Sequence, residues 1–551
     1  MPKDWEYMSD VDAWARDGLM TPDIILERLT DCMRGDCDSI SISDIIMHHF
    51  NRYADTTTEP NILPQSALPV FFAVSDSPLT LFPDVTPILY RSLLYAAGIP
   101  FHNFLLGPPD APPPQLTLAQ FRRALGWLLP NGKYLVYPMG SRYRARTPAD
   151  ERRVLFQSLA RGTDGKRLPH DEDGARRRAT QRAFELPWWR KSELYYAECN
   201  RDDEGDEMFH HLLEVLGFCM PWDWDDYVPF AQPVMEKFVP LAHELHGDEV
   251  RLHHLSIDRA DFRALARWLV FSHVKLAGIR EEERLGGLDE VAECVVRTFC
   301  RDARAGVTYE MFEDGCAMLP TVFYALDRVL LDVVADSHDH DFPRRVVPHF
   351  GRILTAPMFG LLTMMLLRDM YFGRFTLRDE YSWDVNQMEG LDATGLERMI
   401  RQEPRQGVFL VSGTDPLTGD KVVFGAFVLD PVEDGRAITP AQEPYGNEPV
   451  EKNTLLFQLS PVARRFDGIV GRPGWNIRDE DLVFGEPGHG AALVLDECLS
   501  MGVFTQDVGD DDQEVYRTVP WGPRQVTWDV ESIEIWVDRD GHDPEDLDDL
   551  E

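Results

Sequence analysis

The residues best placed to do chemistry are Asp336-Ser337-His338-Asp339-His340-Asp341. His338 and His340 beside aspartates offer imidazole and carboxylate ligands for zinc or another divalent ion. On a strand the two histidines would point the same way, and the set would suit a metal-dependent hydrolase. Against this, the segment follows a helical pattern and precedes Phe342-Pro343, where a polar loop is expected whatever its role. His243-Glu244-Leu245-His246 has its histidines three apart, not at the His-Glu-x-x-His spacing of a zinc helix. No Gly-x-Ser-x-Gly, Walker lysine loop or Rossmann glycine fingerprint occurs. His489 is a lone imidazole among glycines. The balance favours a protein without catalytic residues, cofactor or bound metal.

Calcium is the second ligand to weigh. Thr21-Pro22-Asp23 reads as a helix start, with Thr21 as N-cap and Pro22 at the first helical position. Ile24, Ile25, Leu29 and Met33 make an apolar stripe. A short loop then leads through Ile40-Ser41-Ile42 to Asp44 and a second helix reaching Tyr53. That is the outline of an EF-hand, with Ile40 at the loop's eighth position and Asp44 at its twelfth. Met33 and Gly35 then stand where the first and third carboxylates belong, while Asp36 and Asp38 are off register. Calcium needs six to eight oxygens, several of them anionic, so no binding is expected below millimolar concentrations. The outline recurs at Leu116–Phe121, Ser256–Phe262 and Val307–Phe312. Each is a small β-like step followed by a helix with phenylalanine in its first turn. Ordinary helix starts that share a capping pattern would look the same.

The elements that must position all this change character along the chain. Helical patterns run over Glu207–Phe218, Val234–His246, Asp261–Val274, Leu288–Cys300 and Val322–Ala335. After Leu367 the pattern turns to strands. Gly407–Gly413 is a continuous apolar run, as in a strand buried on both faces. Asp415-Pro416-Leu417-Thr418-Gly419-Asp420 is a hairpin-like turn into Lys421–Asp430. Gly485, Gly488 and Gly490 frame a tight turn into Ala491–Leu495, where Gly490 needs to lack a Cβ. Leu499–Phe504 follows with Gly502 inside it, and Ile533, Ile535 and Val537 alternate as a strand should.

These last segments carry a family resemblance. Phe484-Gly485, Gly490-Ala491-Ala492-Leu493-Val494-Leu495-Asp496 and Gly502, followed by Ile533-Glu534-Ile535-Trp536, resemble the closing half of a TLDc domain. Phe424-Gly425-Ala426 in Lys421–Asp430 and Leu456-Phe457-Gln458-Leu459 in Asn453–Pro461 resemble its opening half. The match covers about 345–540, and the family's Trp-x-Leu-Leu-Tyr segment has only a divergent counterpart around Asp379–Asp384. Within the TLDc superfamily the chain resembles the fungal restriction of telomere capping family. The resemblance implies an α+β protein: a helical, EF-hand-like N-terminal half, then a two-sheet antiparallel β-sandwich with flanking helices. It also implies a non-catalytic regulator that binds the vacuolar proton-pumping ATPase, influences its assembly and contributes to oxidative-stress resistance. Gly425, Phe457, Gly485, Gly490, Asp496, Gly502, Glu534 and Trp536 are the hallmark residues it carries over.

Composition bounds the rest. The chain has 551 residues and a formal charge of 55 − 94 = −39. Such a surface repels nucleic acid and anionic membranes, so a protein with a basic face is the better partner. The longest uncharged apolar run, Ile353–Leu367, is shorter than the ~20 residues that span a bilayer. It also contains Pro357 and Gly360, so a buried helix is expected. The eight cysteines form no Cys-x-x-Cys pair and no signal peptide opens the chain, which implies reduced thiols and a cytoplasmic protein, peripheral at most to the vacuolar membrane. Residues 142–191 are the outlier, with 14 basic against 7 acidic residues. Arg176-Arg177-Arg178 and Trp188-Trp189 there fit a basic linker held against the protein's own acidic surface better than a nucleic-acid site. The expected division is 1–140 helical and EF-hand-like, 141–204 a partly disordered basic linker, 205–342 helical, 343–540 the TLDc domain and 541–551 an acidic disordered tail. The segment from about Arg345 to Asp540 is expected to fold alone and to carry partner binding.

Overall fold

A computed structural model of the chain describes residues 10–35, 40–72, 79–101, 115–129, 148–162, 207–216, 238–246, 250–276, 286–302, 306–334, 350–365, 375–385, 392–402, 407–428, 454–469, 472, 474–507, 513–519 and 521–538. His338, His340, the arginine run at 176–178 and the acidic tail lie outside these. The fold is mixed helix and strand, and its contacts divide it into two compact units. One comprises residues 1–268, 300–314 and 324–340; the other comprises 269–299, 315–323 and 341–551.

The first unit is built on helices. Thr86–Gly98 is apolar nearly all round and buried along most of its length, so neighbours must cover it on several sides. Leu118–Leu128 and Pro148–Leu159 are among those neighbours. Leu118–Leu128 starts on a capping box: the Gln120 N–H donates to Thr117 Oγ1, and Gln120 Oε1 accepts from the Thr117 N–H. Its Arg123 is buried and donates to the Ala97 carbonyl (2.9 Å) and Thr30 Oγ1 (2.8 Å). Phe121 meets Phe71 with ring centroids 5.1 Å apart.

Two sets of very short strands stitch the helices together. Ile62–Leu63 (β1) pairs with Leu116–Thr117 (β2). Arg161–Gly162 (β3), Leu255–Ile257 (β4) and Val307–Thr308 (β5) form a small antiparallel sheet in which Ile257 faces Val307. The steps expected at Leu116, Ser256 and Val307 therefore exist, and each feeds a helix. The step expected at Ile40 does not. Ile40 opens the helix Ile40–Tyr53, in which Ile46 and Phe50 are buried. Alternating Ile-Ser-Ile-Ser looked strand-like, but the spacing of Ile46, Phe50 and Tyr53 is helical. Residues 141–204, read as a linker, contain the helix Pro148–Leu159, whose Val154, Phe156 and Leu159 are buried.

The second unit is organised by one ten-stranded antiparallel sheet. Its strands are Phe375–Asp384 (β6), Gly407–Thr414 (β7), Lys421–Val428 (β8), Leu455–Ser460 (β9), Arg464–Asp467 (β10), Trp475–Arg478 (β11), Asp481–Glu486 (β12), His489–Leu495 (β13), Met501–Asp507 (β14) and Gln525–Asp538 (β15). The order is β10-β9-β8-β7-β15-β14-β13-β12-β11, and β6 adds to β15. The strands form one hydrogen-bonded sheet rather than two separate ones because β15 is 14 residues long. Its first part pairs with β14, its second with β6, and β7 runs along its other edge. The sheet turns back on itself. Phe424 of β8 stacks on Phe504 of β14 (4.8 Å between centroids), and Phe409 of β7 meets Phe484 of β12 (4.9 Å). Neither pair is adjacent in the strand order.

Helices complete this core. Ala356–Met365 is buried. Gly360 lets the main chain of Val270 approach, since a Cβ there would lie 2.8 Å from the Val270 carbonyl oxygen. The Ala463 N–H donates to the buried Thr298 Oγ1 of Leu288–Phe299 (3.0 Å). Residues 269–299 and 315–323 thus pack with the sheet, whereas the sequence pattern grouped them with the helices upstream. Helical periodicity reports which face is apolar, not which partner covers it.

Candidate functional site

All eight hallmark residues sit where packing, turn geometry or a buried carboxylate fixes them. Gly425 lies under the buried Phe457 ring, which a Cβ would meet at 2.5 Å. Gly502 is covered by the Trp528 indole. Gly485 and Gly490 have φ of +91° and +82°, and a Cβ on Gly490 would run into the Tyr516 carbonyl oxygen. Asp496 closes the β13–β14 turn by accepting from the Ser500 N–H (2.6 Å), the Ser500 hydroxyl (2.7 Å) and the Met501 N–H (2.9 Å).

Glu534 is the most unusual of them, because its side chain is fully buried. One carboxylate oxygen accepts from the Ile353 N–H (2.8 Å). The other accepts from the Leu354 N–H (3.2 Å) and the Trp536 indole N–H (3.1 Å). Gly351 makes room for it, since any Cβ there would collide with the carboxylate. Three convergent donors satisfy a buried acid whose isolation would cost several kcal/mol. The residue clasps the segment before Ala356–Met365 onto β15.

Two of the nucleophiles and bases elsewhere, Cys294 and His273, are buried in the core. Burial pushes the Cys294 thiol up to about 11, so it stays protonated and unreactive at neutral pH. His273 is buried between Val322 and Thr363, and burial pulls it down to about 4. His243 stacks on Phe209 with centroids 4.3 Å apart. Among the described residues no three His, Cys, Asp or Glu side chains gather as a metal site. Among them, too, no helix is long and apolar enough to cross a membrane.

What the surface offers is a projecting hairpin tip between β7 and β8. Asp415 orders it: Oδ1 accepts from the Leu417 N–H (2.8 Å), the carbonyl from the Gly419 N–H (2.8 Å), and the Asp415 N–H donates to the Asp420 carbonyl (3.1 Å). Thr418 Oγ1 accepts from the Asp420 N–H (3.2 Å). Leu417 enters the turn through its N–H alone, and its side chain is 93 % exposed. Met47, Val70, Leu81 and Met501 are other large apolar residues at the surface, exposed by 39–52 %. The sequence marks this stretch as a turn; that its leucine is left uncovered follows only from the turn's geometry. No family model matches the chain, and no curated protein matches it.

Proposed function

We propose that this is a non-catalytic TLDc protein that works by binding another protein, the vacuolar proton-pumping ATPase, at the cytoplasmic face of the vacuolar membrane. The observation that carries this reading is the employment of the hallmark residues. Gly425, Phe457, Gly485, Gly490, Gly502, Glu534 and Trp536 belong to strands of one sheet and Asp496 to the turn between two of them, and they serve packing, turns or the Glu534 clasp. A domain whose signature residues build a scaffold acts through the surface it presents. On this reading the folded-over sheet is the TLDc sandwich, and the Leu417 tip is the anchor it offers. The link to assembly of the pump and to oxidative-stress resistance comes with the family resemblance.

The helical half fits an EF-hand-like scaffold that does not answer to calcium. Between Ile40–Tyr53 and Gln65–Phe71, Asp55 takes the first loop position, Thr57 the third, Glu59 the fifth and Ile62 the eighth, on β1. The twelfth, where calcium needs a bidentate glutamate, is Ser66. Thr57 already occupies the Asp55 carboxylate through its hydroxyl (2.6 Å) and N–H (2.8 Å). After β4, Asp261 is held by Arg91 and Arg161, each 2.7 Å from the same oxygen. Guanidinium groups there fill the place a cation would take.

Interferometry with the purified full chain and the purified soluble sector of the pump tests the proposal. Saturable binding with a Kd of about 1 μM or tighter is expected. No binding up to roughly 50 μM would refute it, and stoichiometric zinc with hydrolase activity in the purified protein would favour the enzyme reading instead.

A further inference from the structure

Arg464 of β10 is 6 % exposed and points into the fold, on the same face as Phe466. Among the described residues its guanidinium makes one hydrogen bond, from Nη1 to Gln458 Oε1 across the strand pair (3.1 Å). Nε is buried with no hydrogen-bond partner among the described residues. No carboxylate lies within 4.0 Å of the side chain among the described residues, whereas the next residue, Arg465, is paired with Asp467 (2.6 Å) and the Met365 carbonyl (2.8 Å). The Trp521 ring lies 5.1 Å from the Arg464 Cζ. Exposed Gly522 covers the guanidinium so closely that a Cβ on it would sit 2.5 Å from Cζ. Gln506 holds this cover from beneath, accepting from the Val519 N–H (3.3 Å) and donating to the Pro523 carbonyl (3.0 Å).

A buried arginine with no anion is costly, and buried charges in folded proteins are as a rule paired. Burial lowers Arg464 to about 10, so it remains charged at neutral pH. Gln458 occupies Nη1, which leaves the Nε–Nη2 edge. That edge presents two parallel N–H groups at the spacing of a carboxylate's two oxygens. One guanidinium in a chain of charge −39 suits a monoanion better than a phosphate dianion.

We propose that the Nε–Nη2 edge of Arg464, under the Trp521–Gly522 turn, is a binding site for a single carboxylate from a partner peptide. The carboxylate enters when the turn lifts, and forms a bidentate pair with Arg464 beside the Trp521 ring. Such a group belongs either to an acidic side chain or to a C-terminus. The site is independent of the Leu417 tip and of the identity of the partner.

The test uses the full chain labelled with 5-fluorotryptophan, in which the Trp521 resonance is the one missing from Trp521→Phe. N-acetylglutamate α-amide carries only a side-chain carboxylate and N-acetylleucine only a terminal one. Each is titrated against sodium chloride of matched ionic strength, because screening alone moves exposed charges. The Trp521 signal should shift saturably with one of them, with a midpoint of about 1 mM, as expected for so small a ligand. Arg464→Gln should abolish the shift, and Arg464→Lys, which keeps the charge and loses the fork, should weaken it at least tenfold. Should Arg464→Gln not fold, the lysine variant decides alone. A response equal to that of chloride, an undiminished shift in Arg464→Lys, or tighter binding of inorganic phosphate would each overturn the proposal.

Discussion

Glu534 shows how a single residue can hold two distant stretches of chain in one arrangement. Glu534→Gln keeps the shape but sets an amide NH2 either against the Ile353 N–H or against both the Leu354 N–H and the Trp536 Nε1–H. We expect a loss of about 1–3 kcal/mol by denaturant unfolding, with faster amide exchange at Ile353 and Leu354. Gly490→Val combines a φ of +82° with a side chain aimed at the Tyr516 carbonyl. It should cost about 3 kcal/mol or more, and an unchanged melting temperature would contradict the turn. His273 gives a pH signature. Its ordinary value is 6.5, and burial lowers it to about 4 in the fold. Between these values the unfolded chain holds the extra proton, so stability falls as the pH drops from 6.5 towards 4. The loss between pH 7 and pH 5 should be about 2 kcal/mol, and His273→Gln should remove that share of the pH dependence in urea titrations.

At the scale of elements, the hairpin β7–β8 separates folding from recognition. Asp415, Thr418 and Gly419 close the turn, and Leu417 joins it only through its N–H to Asp415, so replacing the exposed Leu417 side chain should leave the fold alone. Leu417→Asp is expected to change unfolding by less than about 0.5 kcal/mol. In the interferometry assay with the pump's soluble sector it should weaken binding at least tenfold, through loss of an apolar anchor. If wild type binds and Leu417→Asp binds equally, the tip is not the contact, although the partner stands. Strand β15 shows the opposite coupling. Register shifts near Val530/Ser532 and Glu534/Trp536 let one strand serve β14, β6 and β7, so few positions along it can change without disturbing several pairings.

Over the whole molecule, the second compact unit has a consequence for dissection. A fragment of residues 345–551 lacks Thr298, which binds the Ala463 amide, and Val270, which lies against Gly360. It also lacks Met318, whose sulfur lies 3.5 Å from the Arg465 amide. The independent fold expected from the strand pattern alone is therefore not what these contacts favour. The fragment should show exposed apolar surface by dye binding and a broad thermal transition, whereas residues 256–551 should unfold cooperatively. A sharp transition in the shorter fragment would show that the helices are dispensable.

How much could be read in advance follows from range. Positions whose role is local are legible: the Thr21 cap, the hairpin turn at 415–420, the buried run Gly407–Gly413, the helix in the apolar stretch after Ile353, and the glycine-framed turn before Ala491. Their signals are a period, a cap or a residue without Cβ, all of which act within a few positions. Glu534 and Trp536 were recognised as a pair, but that the acid would receive the amides of Ile353 and Leu354, some 180 residues away, is written in no local pattern. The same holds for Arg464, an ordinary arginine in sequence until β9, β14 and the Trp521 turn close over it. Sequence determined which stretches are helix, strand and turn, because those depend on neighbours along the chain. Tertiary structure decided that the strands form one sheet folded over, that residues 269–299 join it, and which charges are buried, because burial depends on neighbours in space.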